Sequence, residues 1–162
     1  MAEGPTQSRL KGAVLALDLG DKSVGAAVSD SLQLTINRLN PIRRSNWKQL
    51  LLDVKALIHR FDAKTLVIGL PLRLDGTTGE AAERIERIAL NFSRSLEIPV
   101  FLQDERLTSV EARASLLDEG TKPEEIPALI DGAAAGLILR DFLITPKRME
   151  PVSPLTREAS KG

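Results

Sequence analysis

The segment that most limits the fold is Ala13 to Asp18 (AVLALD), a continuous apolar run that ends on a carboxylate. A run of this kind reads as a strand buried on both faces, which belongs in a sheet covered on both sides. Leu19 to Ser23 (LGDKS) reads as a turn. Val24 to Asp30 (VGAAVSD) then resumes a strand pattern, with small residues where another backbone or a helix can approach. A third, weaker strand falls within Leu34 to Arg44, and such close spacing implies an antiparallel meander.

Beyond the meander the period changes. Trp47, Leu50, Leu51, Val54, Leu57, Ile58 and Phe61 recur at helical spacing after the candidate caps Ser45 and Asn46. Thr65 to Leu70 (TLVIGL) is a short apolar strand stopped by Pro71. The polar loop Arg73 to Thr78 leads to a helix over roughly Gly79 to Leu96, for which Thr77 and Glu80 form a candidate capping box. Pro99 to Gln103 is a further strand, ending at Asp104-Glu105-Arg106. Thr108 and Glu111 offer a second capping box, and Gly120 stops the helix that follows. An acidic connector, Pro123 to Pro127, precedes Leu129 to Ile144, apolar enough to be a buried helix with Asp131 in its first turn. Strands alternating with crossover helices imply parallel pairing for the later strands. The expectation is an α/β fold with a five-stranded mixed sheet flanked by helices.

At 162 residues the chain fits one domain, here 13–144, with 1–12 and 145–162 expected to be flexible. Its 43% hydrophobic and 27% charged residues are those of a globular protein. Lysines and arginines total 22, as do aspartates and glutamates, so polyanion binding must come from a local patch. Arg38, Arg43, Arg44, Lys48 and Lys55 concentrate positive charge and fit either a backbone-tracking patch or a solvated face. No stretch approaches the roughly 20 apolar residues of a membrane span. The absence of cysteine excludes disulfides, thiolate metal sites and cysteine nucleophiles, and makes the cytoplasm the default compartment. A single histidine, His59, cannot supply a His-rich zinc site, and it reads as a helix-surface residue. Trp47 and Phe61, spaced with leucines, read as core rather than as base-stacking platforms.

Carboxylates remain as the catalytic groups. Ligands of open α/β sheets gather at the carboxyl ends of the strands, where Asp18 and Glu105 both fall. Each has a plain structural explanation: Asp18 suits turn chemistry, and Asp104 and Glu105 suit a solvated edge paired with Arg106. Asp131 sits on a helix otherwise made of Ile, Ala, Gly and Leu, where a carboxylate is costly to bury without a partner, although helix starts also favour acids. Hydrolysis of a phosphodiester joins all three, because hard Mg²⁺ prefers carboxylate oxygens and two such ions clamp attacking and leaving oxygens without histidine or cysteine.

Four segments, AVLALDLGDKSVGAAVSD, VIGLPLRLDGTTGEAAERI, PVFLQDERLTSVEARASLL and IDGAAAGLILRDFL, match in order and spacing the motifs of the YqgF family. The chain resembles that family over about Ala13 to Leu143. The resemblance implies an RNase H-like fold related to Holliday junction resolvases, and an activity on pre-16S ribosomal RNA. It makes Asp18 the first-strand carboxylate, Glu105 the second and Asp131 that of the last helix, together holding Mg²⁺ or Mn²⁺ and expected to converge. Gly69-Leu70-Pro71 and Asp75-Gly76-Thr77 match the family's loop motif, with Arg73 where asparagine is common. Lys22, Arg73 and Arg106 are the candidate nucleic-acid contacts, Arg106 with a salt bridge to Asp104 as its alternative.

The expected function is a metal-dependent nuclease, cytoplasmic, monomeric or homodimeric, processing the 5′ end of precursor 16S ribosomal RNA. The alternatives are a resolvase of four-way DNA and a non-catalytic RNA-binding protein of ribosome biogenesis. An actin-like or sugar-kinase-like nucleotide binder needs two such domains, and the length provides one.

Overall fold

The computed structural model describes residues 10–106, 108–144 and 151–152, so the expected flexibility of 1–9, 145–150 and 153–162 lies outside the described residues. The opening strand β1 (Ala13–Leu19) turns into the antiparallel β2 (Ser23–Ser29), pairing Asp18 with Gly25. The expected third strand arrives in two pieces, β3 (Ile36–Arg38) and β4 (Ile42–Arg43), both antiparallel to β2. Pro41, which has no N–H to give a ladder, stands in the break. Among the described residues the sheet thus has six strands in five positions, ordered β3-β2-β1-β5-β6 with β4 beside β2, rather than five strands.

Helix α1 (Trp47–Phe61) has the expected bounds, and its cap is Asn46 rather than Ser45: the Asn46 side chain accepts from the Gln49 N–H. β5 (Ala63–Leu70) and β6 (Val100–Asp104) follow, β5 parallel to β1 and β6 parallel to β5, joined by α2 (Glu80–Ser95). The expected Thr77–Glu80 capping box does not form. Thr77 donates both its N–H and its hydroxyl to Asp75, and Gly79 becomes the cap residue of α2. In α3 (Thr108–Asp118), Glu111 reaches Arg140 instead of turning back to Thr108. Gly120, at φ +87, ends it as expected: Gly120 N–H donates to Leu117 and Thr121 N–H to Leu116, the double bond of a Schellman turn.

The acidic connector is shorter than its prolines suggest. A 3-10 turn (Pro123–Glu125) leads directly into α4 (Ile126–Ile144), with Pro127 in the first turn, where a missing N–H costs nothing. Asp131 therefore lies beyond the first turn, and the helix-start explanation for its charge falls away.

Alternation along the strands sorts two cores. Leu15, Leu17, Leu66, Ile68, Val100 and Leu102 face α1 and α2, where Trp47 meets Phe92 edge-on at 4.7 Å. Val14, Ala16, Val67 and Phe101 face α4, with Ile138, Leu139 and Phe142. The far side of α4 packs through Ala133, Ala134 and Leu137 on Ala112 and Leu116 of α3, so α4 is buried on both sides and has no polar stripe. At the outer edge of β6, Val152 donates its N–H to Val100 O at 2.7 Å and packs on the main core, so residues 151–152 of the expected flexible tail are docked.

Candidate active site

At the carboxyl end of the sheet the α4 face collects the three carboxylates. Asp18 continues the parity of Val14 and Ala16, so its side chain leaves β1 on that face. In β5 the same face carries Gly69. A Cβ there would stand 2.8 Å from the Glu105 carboxyl carbon and 2.6 Å from Ile138, so only glycine leaves Glu105 room to lean across β5. The Glu105 backbone is itself held, its N–H donating to Leu70 O at 3.0 Å as the last rung of β5 on β6. Glu105 thereby comes into hydrogen-bond contact with Asp18.

Asp131 is brought in by backbone packing. A Cβ on Gly25 would sit 2.1 Å from Asp131 O, so α4 rests directly on β2 at the residue paired with Asp18. The small residues of VGAAVS were the sequence signal for this approach. Ser23, at the start of β2, donates its hydroxyl to Asp131 Oδ2. Sequence reasoning did not single out Ser23, a turn serine like many others.

Burial pushes the Glu105 carboxyl up to about 8, and the neighbouring Asp18 charge adds to the effect. Asp18 is also raised, by burial first and by repulsion from Asp131, while the hydrogen bond from Glu105 pulls the other way. The shared proton therefore resides on Glu105, which donates to Asp18. Asp104 has the opposite fate. Burial works against its ionisation, but Arg106 outweighs burial through hydrogen bonds from its backbone N–H (2.9 Å) and Nε (2.8 Å), and the carboxyl is held below the usual range.

Among the described residues no three His, Cys, Asp or Glu side chains form a ready cage for a metal ion, and Asp131 Oδ1 has no hydrogen-bond partner. The expected convergence is two plus one: Asp18 and Glu105 touch, and Asp131 lies within electrostatic reach of Asp18. The donor set fits a hard divalent cation in its chemistry, being all oxygen and acidic, with its mutual repulsion relieved only by one shared proton and one hydroxyl.

The candidate cations divide. Lys22 is exposed on the β1–β2 turn. Arg106 is committed to Asp104 and, through Nη1, to Leu74 O at 3.2 Å, so it ties the loop after β5 to the end of β6. Arg73 lies against Gly79, at the start of α2. Arg38 belongs to no open patch: it is bound to Glu119 through both nitrogens at 3.0 and 2.8 Å. Arg43, Lys48 and Lys55 are exposed, whereas Arg44 pins the β1–β2 turn, donating to Gly20 O at 2.8 Å. Trp47 and Phe61 pack against the main core and His59 is exposed, as expected. Arg44 also lines a groove of about 840 Å³ that opens beside Glu105 and runs along α2 past Arg84, Arg87 and Asn91. None of those three α2 residues stands out in the sequence, where arginines on an amphipathic helix read as a solvated face.

A mixed sheet in this order, with carboxylates at its centre, defines a class. The solved structure of RuvC from Thermus thermophilus superposes with a TM-score of 0.52 at 15% identity, covering 86% of this chain and 99% of that one, and the fold is RNase H-like. The sequence profile of the RuvX family, described as "Holliday junction resolvase", matches residues 12–145, and the chain belongs to that family, the YqgF family that its motifs resemble. Relatives named "Putative pre-16S rRNA nuclease" include one from Syntrophus aciditrophicus (strain SB), 38% identical over 130 residues, 80% of this chain and 87% of that protein. Another, from Roseiflexus sp. (strain RS-1), is 37% identical over 132 residues, 82% and 94% of the two chains. Among the described residues no helix is long and apolar enough to cross a membrane.

Proposed function

We propose that this protein hydrolyses phosphodiester bonds in precursor 16S ribosomal RNA, at the 5′ end of the mature sequence, with Asp18, Glu105 and Asp131 holding Mg²⁺ or Mn²⁺. The observation that carries the reading is the contact of Asp18 with Glu105 across Gly69, beside an Asp131 seated by Gly25. Nothing in the fold requires three acids at one sheet end, and burial together with a neighbouring carboxylate's charge works against ionisation of both Asp18 and Glu105. Bound among them, a divalent cation supplies Lewis-acid stabilisation of the charge that builds on the attacked phosphate. The protein's own groups do the rest. Ser23 fixes Asp131, Gly69 leaves Glu105 room to reach Asp18, and Arg106 ties the loop bearing Asp75-Gly76-Thr77 to the end of β6. In hydrolysis a water oxygen bonds to phosphorus as the ester oxygen departs, the water gives up a proton and the leaving oxygen gains one.

The relatives' names favour the RNA substrate. The family description supports a second reading, resolution of four-way DNA. One experiment separates them: the full chain is incubated with labelled precursor 16S RNA and with a four-way DNA junction, with and without Mg²⁺ or Mn²⁺, beside Asp18→Asn. Cation-dependent cleavage of the RNA, lost in a folded Asp18→Asn protein, is the expected result. Cleavage of the junction alone transfers the reading to DNA, and wild-type rates in Asp18→Asn overturn the carboxylate mechanism.

A further inference from the structure

We infer that the groove along α2 is a track for the sugar–phosphate backbone of the substrate strand, with Arg84 and Arg87 as its phosphate contacts and Arg44 on the opposite wall. This rests on the nuclease reading and adds to it the surface that leads the strand away from the carboxylates. The groove is lined by Glu105 and Asp21 at the carboxyl end of the sheet and by Arg84, Arg87 and Asn91 along α2, so one channel sets the arginines beside a carboxylate of the proposed site. A strand whose phosphates lie along the arginines therefore passes beside Glu105.

Arg84 and Arg87 stand three residues apart, about 4.5 Å along the helix axis, and project from one face of α2. Glu80 and Glu83 each precede one of them by four residues, the orientation that favours helix ion pairs. Yet among the described residues neither arginine pairs with a carboxylate, and both line the groove, whereas Arg38, Arg106 and Arg140 are neutralised by acids. Arg44 reaches the groove with one nitrogen spent on Gly20 O and the rest of its donors unspent. Between these walls Ile85 and Ile88 supply an apolar floor. Among the described residues no aromatic side chain lines the channel, so bases have no stacking platform there, and recognition falls to charge on the backbone. The track is therefore indifferent to sequence, and cleavage position must be set elsewhere.

The test reads binding of a short unstructured RNA, and of DNA of the same sequence, in chelator and over a range of salt, so that cleavage plays no part. Arg84→Gln/Arg87→Gln is expected to weaken binding and to flatten the dependence of log affinity on log salt by about 0.7 for each phosphate that is no longer neutralised. Arg84→Lys/Arg87→Lys restores the slope. Arg94→Gln, on the same helix but outside the groove, leaves it unchanged. Weaker binding of both strands identifies the shared phosphodiester, and weaker binding of one alone names the substrate's sugar. Unchanged affinity and slope in the double Gln variant, a Lys variant that restores nothing, an equal weakening in Arg94→Gln, or no binding by the wild type overturns the proposal. A wild type that binds through these arginines but cleaves neither precursor 16S RNA nor a four-way DNA junction when Mg²⁺ is added refutes the nuclease reading and leaves the track standing.

Discussion

Asp104 and Glu105 are neighbours in the chain, yet they occupy opposite electrostatic worlds. Alternation sends Asp104 to the side of Val100 and Leu102, where Arg106 neutralises it through three donors. Glu105 goes to the α4 side, meets Asp18 and keeps its proton to about pH 8. The same two acids thus become a loop tie and a member of the proposed reactive centre, and the difference is set by which face of a strand each one leaves. The acid at the loop is given a cation by the protein, and the acid of the proposed centre is given a second carboxylate instead.

The sharpest way to break this contrast is to neutralise each acid in turn. A bound metal is worth several kcal/mol of transition-state stabilisation, so Glu105→Gln is expected to lower cation-dependent cleavage by about 100- to 10,000-fold. Asp104→Asn is expected to stay within about 10-fold of wild type, since it loosens a loop rather than removing a donor. Single-turnover cleavage rates decide, and equal losses in the two variants would erase the distinction.

The next effect is on stability. Because the folded protein holds the Glu105 proton from the ordinary value of 4.5 up to about 8, the folded state binds more protons than the unfolded chain across that window. Stability in chelator is therefore fully present below 4.5 and declines as pH rises through about 8, and Glu105→Gln flattens that decline. Thermal melts along a pH series read it, and added Mg²⁺ is expected to raise the wild-type melting temperature most at the alkaline end. Asp104→Asn leaves the decline in place.

The smallest effect probes how Asp131 is seated. Gly25→Ala puts a methyl carbon against the Asp131 carbonyl, an overpacking expected to cost about 1–3 kcal/mol in urea unfolding. A cost near zero would mean that α4 slides freely over β2 and that Asp131 is not fixed by this contact.

Much of this arrangement is legible in the sequence because it depends on periods. The helical spacing from Trp47 to Phe61 gives α1 its bounds, and the apolar runs give β1, β5 and β6. The failures have local causes. Thr77 fits a capping box on paper, but Asp75 sits two residues away on its other side and takes both its donors. Pro123 and Pro127 read as a connector, although a proline in a helix's first turn punctuates nothing. Of the candidate site, the apolar runs drew attention to Asp18, to the pair Asp104 and Glu105 and to Asp131, and the resemblance to the YqgF family then selected Glu105 and joined it to the other two. Arg84 and Arg87 could not, since their spacing is that of any amphipathic helix and only the neighbouring end of the sheet gives them a purpose.

The two edges of the sheet bear on how copies of this protein behave when crowded. A long bare strand is a template on which another molecule's strand can add, the first step of edge-to-edge aggregation. At one border β3 and β4 are three and two residues long with Pro41 between them, too short and broken to template a ladder. At the other, Val152 already occupies the outward carbonyl of Val100. Removing the chain from Pro151 onward would bare that carbonyl on β6, and the cost would fall on self-association during folding and storage rather than on the chemistry of the carboxylates.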